Sequence, residues 1–126
     1  PVNPGKAINS PGPEFNSLIA PDESFLVFSS WGRSDAIGGG DLYICFQDEK
    51  KQWTPAKPLP QPLNSPALDY CPALSPDGQY FFFTSNRISA EIPVLPGMKR
   101  SRLNATLSRP GTGNNDLYWV AALELK

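Results

Sequence analysis

Apolar residues come in short bursts separated by turn-forming clusters. The bursts are Phe25-Leu26-Val27-Phe28, Leu42-Tyr43-Ile44-Cys45-Phe46, Tyr80-Phe81-Phe82-Phe83 and Leu117-Tyr118-Trp119-Val120. Each is too short for a packed helix and rich in aromatic or β-branched residues, so each reads as a strand. Between them stand proline, glycine, aspartate, asparagine and serine. Pro76-Asp77-Gly78 has turn chemistry throughout: proline presets φ, aspartate bonds its own backbone, and glycine tolerates positive φ. The pattern predicts strands over 15–20, 24–29, 41–47 and 52–56 (around Trp53), then over 70–75, 79–85 and 116–122. The tail 121–126 either prolongs the last strand or closes in a short helical turn.

The same pattern is written twice. A displacement of 55 positions carries Asn9-Ser10-Pro11 onto Asn64-Ser65-Pro66, Pro21-Asp22 onto Pro76-Asp77, Phe28 onto Phe83 and Ser30 onto Ser85. Type is kept between these identities, as in Ile8/Leu63, Phe15/Tyr70, Val27/Phe82 and Ser29/Thr84. Gly40-Asp41-Leu42-Tyr43 meets Asn115-Asp116-Leu117-Tyr118 at a displacement of 75, so the second copy carries about 20 additional residues after its second strand. A repeat of this length built from short strands predicts propeller blades.

These phrases together resemble the WD40-like, TolB-type β-propeller repeat. The resemblance is carried by Ile8-Asn9-Ser10-Pro11 with Glu14, by Ala20-Pro21-Asp22, Gly39-Gly40-Asp41-Leu42-Tyr43 and Trp53-Thr54-Pro55. Ser75-Pro76-Asp77-Gly78, Thr84-Ser85-Asn86-Arg87 and Asp116-Leu117-Tyr118-Trp119 complete it. It spans the chain except 88–110. It implies an all-β fold of antiparallel four-stranded blades, about seven strands in a single unit 1–126, with one blade over 8–60 and a second over 63–126 that holds the insertion 88–110. Members of the family usually form six blades, are mostly bacterial and extracytoplasmic, and serve as binding or scaffold modules. The first copy departs from the pattern twice: Ser30-Trp31-Gly32-Arg33 replaces the Ser-Asn-Arg phrase, and Glu23 stands where the second copy has Gly78.

Two blades cannot close a ring, because their outer faces and edge strands stay uncovered. The expectation is therefore either a C-terminal excerpt of a longer propeller or a building block of which three copies complete six blades by cyclic symmetry. Pro1-Val2-Asn3 looks like the end of a strand begun upstream, which favours the excerpt. The resemblance also implies that the loops after the second and fourth strands of a blade share one rim. Glu14, Trp31, Arg33, Asp69, Asn86 and Arg87 are the candidate ligand-binding residues there, for a protein, peptide or glycan. Asn9, Asp35 and Asn64 join them on the rim. The competing reading makes the asparagines and Arg87 turn caps and ties between blades.

Composition narrows the chemistry. Of 126 residues 40% are apolar, enough for a core, and the many prolines and glycines (15 and 10) fall between the apolar bursts. A net charge of −1 argues against bulk electrostatic binding to nucleic acid. No apolar run is long enough for a membrane span. Histidine is absent, which removes Ser-His and Cys-His relays and histidine metal sites. Gly38-Gly39-Gly40-Asp41 lacks the following Lys-Ser/Thr of a phosphate cradle. No metal or other cofactor is expected. Glu14 and Asp69 are equivalent carboxylates of the two copies, and blade structure explains their recurrence better than glycoside cleavage does. Cys45 and Cys71 lie in apolar runs and read as buried thiols or as a bridge. From Arg87 to Arg109 there are five cations (Arg87, Lys99, Arg100, Arg102, Arg109) against Glu91 alone, and the insertion reads as an irregular solvated loop or a contact for an anionic partner. The expected role is a non-enzymatic binding or scaffold module of the bacterial cell envelope, periplasmic or extracellular. The alternative is an accessory domain of a hydrolase (peptidase or glycoside hydrolase) whose catalytic part lies outside this chain.

Overall fold

The computed structural model describes residues 1–88 and 97–125. It consists mainly of antiparallel β structure in two sheets, as the all-β expectation required. The first sheet holds β1 (Glu14–Ile19), β2 (Phe25–Ser30), β3 (Asp41–Phe46) and β4 (Lys57–Pro58) in chain order. The second holds β5 (Asp69–Leu74), β6 (Tyr80–Ser85) and β7 (Asp116–Ala121). Helix α1 (Arg100–Leu107) lies between β6 and β7 in sequence, and a 3-10 turn over Ala122–Leu125 follows β7.

The internal repeat extends to the backbone. Ser30 pairs with Asp41 in the first sheet as Ser85 pairs with Asp116 in the second, and Val27↔Ile44 corresponds to Phe82↔Trp119. Both opening strands slip register at the same place, between Phe15 and Leu18 and between Tyr70 and Ala73. Asn16 and Cys71 sit in these bulges with φ of 48° and 54°. A bulge bends and twists the strand that carries it. The two tight turns also match. Glu23 donates to the Ala20 carbonyl and Gly78 to the Ser75 carbonyl, each at 2.8 Å. Asp77 accepts from the Ser75 hydroxyl and the Gln79 amide, and Asp22 from both the amide and hydroxyl of Ser24, so these aspartates shape their turns.

Hydrophobic burial joins the two sheets. Val27, Leu42 and Ile44 on one face of the first sheet meet Phe81 and Phe83 of the second, with Leu59, Leu63 and Leu125 filled in among them. β5 lies against β1, β2 and β3. The opposite face of the first sheet buries Phe28, Tyr43 and Cys45 under Ile8, with Trp53 and Ala56 beside them. β3 is thus covered on both faces, which is why its sequence is a continuous apolar run rather than an alternation. β7 alternates between more and less exposed residues, the mark of a strand covered on one face only. Asn64 stitches the sheets where they meet. Its buried carboxamide accepts from the Leu42 amide at 2.8 Å and donates to the Leu42 and Leu59 carbonyls, both at 2.9 Å. Gly38 approaches so closely that a Cβ would stand 2.2 Å from the Ser65 carbonyl oxygen.

Two expectations change and one pair of alternatives is decided. The fourth strand is not continuous over 52–56. Trp53 makes an isolated bridge to Gln47, and the ladder resumes only at β4, where Lys57 and Pro58 pair with Ile44 and Tyr43. Pro55 and Pro58 have no amide hydrogen to give, so this edge strand comes in pieces. The insertion is not wholly irregular, since it contains α1. Ser108, Thr112 and Asn114 hydroxyl and amide groups bond the last carbonyls of that helix. Residues 89–96 of the insertion lie outside the described residues. The tail adopts the helical-turn alternative, and it buries Leu125 in the core. No helix among the described residues is long and apolar enough to cross a membrane.

The paired turns give a direct test. Glu23 holds φ of 59° where its counterpart Gly78 holds 71°. A side chain in this left-handed region costs roughly 1–2 kcal/mol that glycine avoids. Glu23 is exposed and nothing stands within 4 Å of a Cβ at Gly78, so contacts do not obscure the comparison. Glu23→Gly is expected to stabilise the chain by about 1 kcal/mol and Gly78→Ala to destabilise it by about as much, read from urea unfolding.

Candidate functional site

The rim residues come together as two copies of one brace. In the first sheet Glu14 opens β1, and its Oε1 accepts from the Ser10 amide at 3.1 Å and the Ser10 hydroxyl at 2.5 Å. Arg33, from the β2–β3 loop, donates through Nη2 to the same Oε1 at 2.9 Å and to the Ile8 carbonyl, and through Nε to the Ser30 hydroxyl at 2.8 Å. In the second sheet Asp69 opens β5 and accepts from the Ser65 amide at 2.6 Å and hydroxyl at 2.7 Å. Arg87 donates to Asp69, to the Leu63 carbonyl and to the Pro62 carbonyl, each at 2.7 Å, and to the Ser85 hydroxyl at 2.9 Å.

Each guanidinium also lies over a stacked aromatic pair. The Cζ of Arg33 is 4.6 Å from the Tyr43 ring centre and 5.3 Å from that of Phe28. The Cζ of Arg87 is 5.0 Å from Tyr118 and 5.1 Å from Phe83. The planar cation thus bonds at its edge and stacks on its face, which lysine cannot do. The departure of the first copy from the Ser-Asn-Arg phrase is resolved here. Arg33 stands one residue further from its serine than Arg87 does, yet both guanidinium groups reach equivalent partners.

The other rim residues are placed as follows. The Asn86 side-chain oxygen accepts from the Leu68 amide at 2.8 Å, and Asn64 is wholly buried. Asn9 donates to Asn3 at 2.8 Å. Asp35 accepts from the Tyr43 hydroxyl at 2.9 Å, and burial followed by this bond pushes the Tyr43 phenol far above its usual range. Trp31 is the outlier: it is 52% exposed, with its ring 6.4 Å from that of Phe15. Beside Arg87 is a shallow cleft of about 210 Å³ lined by Gln61, Pro62, Ser65 and Pro66. Lys99, Arg100, Arg102 and Arg109 of the insertion are exposed.

Ser10, Ser65, Tyr43 and Tyr118 are brace members that the sequence reading did not single out as site residues. The recurrence of Asn-Ser-Pro and of Asp-Leu-Tyr in both copies was the available signal. A larger cleft, about 650 Å³, lies at the opposite end between the two tight turns and the C-terminal turn. Phe25, Phe46, Leu74, Tyr80, Leu123 and Leu125 line it. No local phrase announces it, because it forms only where the two sheets converge. Cys45 and Cys71 are free; burial pushes the Cys45 thiol up to about 11, which leaves it a poor nucleophile. Among the described residues no group of three or more histidine, cysteine, aspartate or glutamate side chains is arranged to hold a metal ion.

Two predictions follow from the braces. Asp69 is 0% exposed, so Arg87→Met leaves a buried carboxylate without its cation. This is expected to cost about 3–5 kcal/mol, and Asp69→Ala in the same chain is expected to return part of the loss in a double-mutant cycle. Glu14 supplies the pH dependence. Burial raises its pKa, but the bonds from Ser10, Ser30 and Arg33 outweigh burial and hold it below the ordinary 4.5. A carboxyl whose folded pKa is depressed contributes stability fully above the unfolded value and loses it as pH falls through the folded value. Urea unfolding is therefore expected to show a loss of stability below about pH 4.5 that is smaller in Glu14→Gln.

Comparison with protein-family models, with curated proteins and with solved structures gave no match.

Proposed function

We propose that the two sheets are neighbouring blades of a β-propeller and that the chain is a non-enzymatic binding or scaffold module of the bacterial cell envelope, periplasmic or extracellular. It offers its loop rim to a protein, peptide or glycan. The observation that carries this reading is the allocation of polar groups on the rim. Glu14, Arg33, Asp69 and Arg87 are consumed by internal bonds, while Trp31 is left half-exposed on a fixed underlay. Groups held this way build a rigid frame rather than supply a free acid, base or nucleophile. An aromatic ring on such a frame binds at low entropic cost, since its orientation is set before the ligand arrives.

The backing of Trp31 supports the same assignment. Its amide donates to the Pro13 carbonyl at 3.2 Å, so the segment before β1 holds the loop that carries it. Arg33, two residues on, anchors that loop from the other side. Asn86 and Arg87 act here as frame residues that set the second loop beside it, and contact with ligand falls chiefly to Trp31.

Glycan and peptide arrays give the test, followed by calorimetry on the best ligand. Trp31→Ala is expected to weaken binding by about tenfold or more with little change in thermal midpoint. Binding that survives the substitution unchanged would sink the rim assignment.

A further inference from the structure

The exposed face of the second sheet repeats a face that the first sheet buries. Leu42 and Ile44 of β3 are 0% and 7% exposed because the second sheet covers them. Their counterparts on β7 are Leu117 and Trp119, which are 70% and 62% exposed. Tyr80 adds to the patch, its ring edge-on to Trp119 at 5.2 Å. β7 is also the last strand of its sheet, so the Leu117 backbone lies on an outer edge, whereas β3 is followed by β4 and the Leu42 carbonyl already accepts from the Leu59 amide.

The receiving surface is repeated as well. Within the chain, Leu42 and Ile44 are packed by Leu59, Leu63, Phe81 and Phe83, and Asn64 latches the Leu42 backbone. Moving back by the 55-residue repeat, these become Pro4, Ile8, Leu26, Phe28 and Asn9. All five line a single cleft of about 320 Å³ on the outer face of the first sheet. Asn9 differs from Asn64 in its bonding: its carboxamide donates to the Asn3 side chain, where Asn64 bonds the backbone of Leu42 and Leu59.

We propose that copies of this chain associate head to tail, with Leu117 and Trp119 of one copy seated in the Pro4–Phe28 cleft of the next. The interface reproduces the one already formed between the two sheets. Leu117 takes the place of Leu42 and Trp119 that of Ile44, while Asn9 turns from Asn3 to the Leu117 backbone as Asn64 holds Leu42. The contact is heterologous, since different faces meet, so it propagates from copy to copy until the rotation closes. It leaves Trp31 free and so stands apart from the rim assignment, although Ile8, Glu14 and Phe28 of the cleft also belong to the Arg33 brace.

The test is a complementation of two disabled faces, read by light scattering after size exclusion. Wild-type chain is expected to form multi-chain species with rising concentration. Trp119→Glu removes only the inserting face and Asn9→Arg only the receiving one, and both positions are open enough to accept the change. Each variant alone is expected to run as a single chain, with a dissociation constant raised at least about thirtyfold. Mixed in equal amounts, they are expected to give a species of two chains and no larger, because one intact face of each kind remains. A wild type that stays single at every concentration overturns the proposal. So does an Asn9→Arg chain that still associates, which would mean two Trp119 faces meeting each other, or a mixture that forms no pair.

Discussion

A carboxylate taken out of water must recover the hydrogen bonds it gives up, and Asp69 does so from Ser65 close by in the chain and from Arg87 far along it. Ser65 supplies an amide and a hydroxyl, and Arg87 supplies the cation. That arginine is itself held by two backbone carbonyls, a serine hydroxyl and two aromatic faces. Removing one member takes a bond from its buried partners, so the set behaves as a unit rather than as a sum of pairs. What it joins is distant in sequence: the segment leading into the first strand of a sheet, the end of the second strand, and the ring of the third. The same knot in the first sheet, built on Glu14 and Arg33, closes that sheet in the same way.

With the loop ends closed by these knots, the apolar work is left to the faces. Phe81 and Phe83 turn toward Val27, Leu42 and Ile44, and each such buried side chain contributes roughly 1.5–3 kcal/mol. Asn64 adds direction to this non-directional attraction, since its three bonds are made only when β3 and the second sheet stand in one register. Gly38 sets how close they come. The sheets are thus fixed relative to each other by the Asn64 latch, by backbone bonds from Asp69 to Gly40 and from Gly39 to Ala67, and by one missing side chain within an apolar seam.

Much of this was legible in the residues. Six strands lie within a residue or so of where the apolar bursts placed them, because each burst is bounded by turn chemistry that tolerates little else. The repeat located Glu14 and Asp69, Ser30 and Ser85, and both turns. What stayed hidden had physical causes. The fourth strand broke around Pro55, between Trp53 and β4, where propensity counts cannot say which amides the partner strand needs. The helix over Arg100–Leu107 has no apolar stripe or acidic first turn to announce it. Arg33 looked like a departure because aligned positions compare backbones, whereas the guanidinium reaches its partners through a long side chain. The cleft between the tight turns has no motif at all, being a gap left where separate elements converge.

The slip between Arg33 and Arg87 has a wider consequence. One copy takes a Trp31-Gly32 pair before its arginine and the other only Asn86, yet the end group arrives at the same address. A tether with that much reach decouples the length of the connection from the integrity of the sheet. The helix inserted after Arg87 comes beyond the point where the chain has been tied off. Such a knot marks a natural grafting point, where new sequence can be spliced in and varied without the scaffold beneath registering the change.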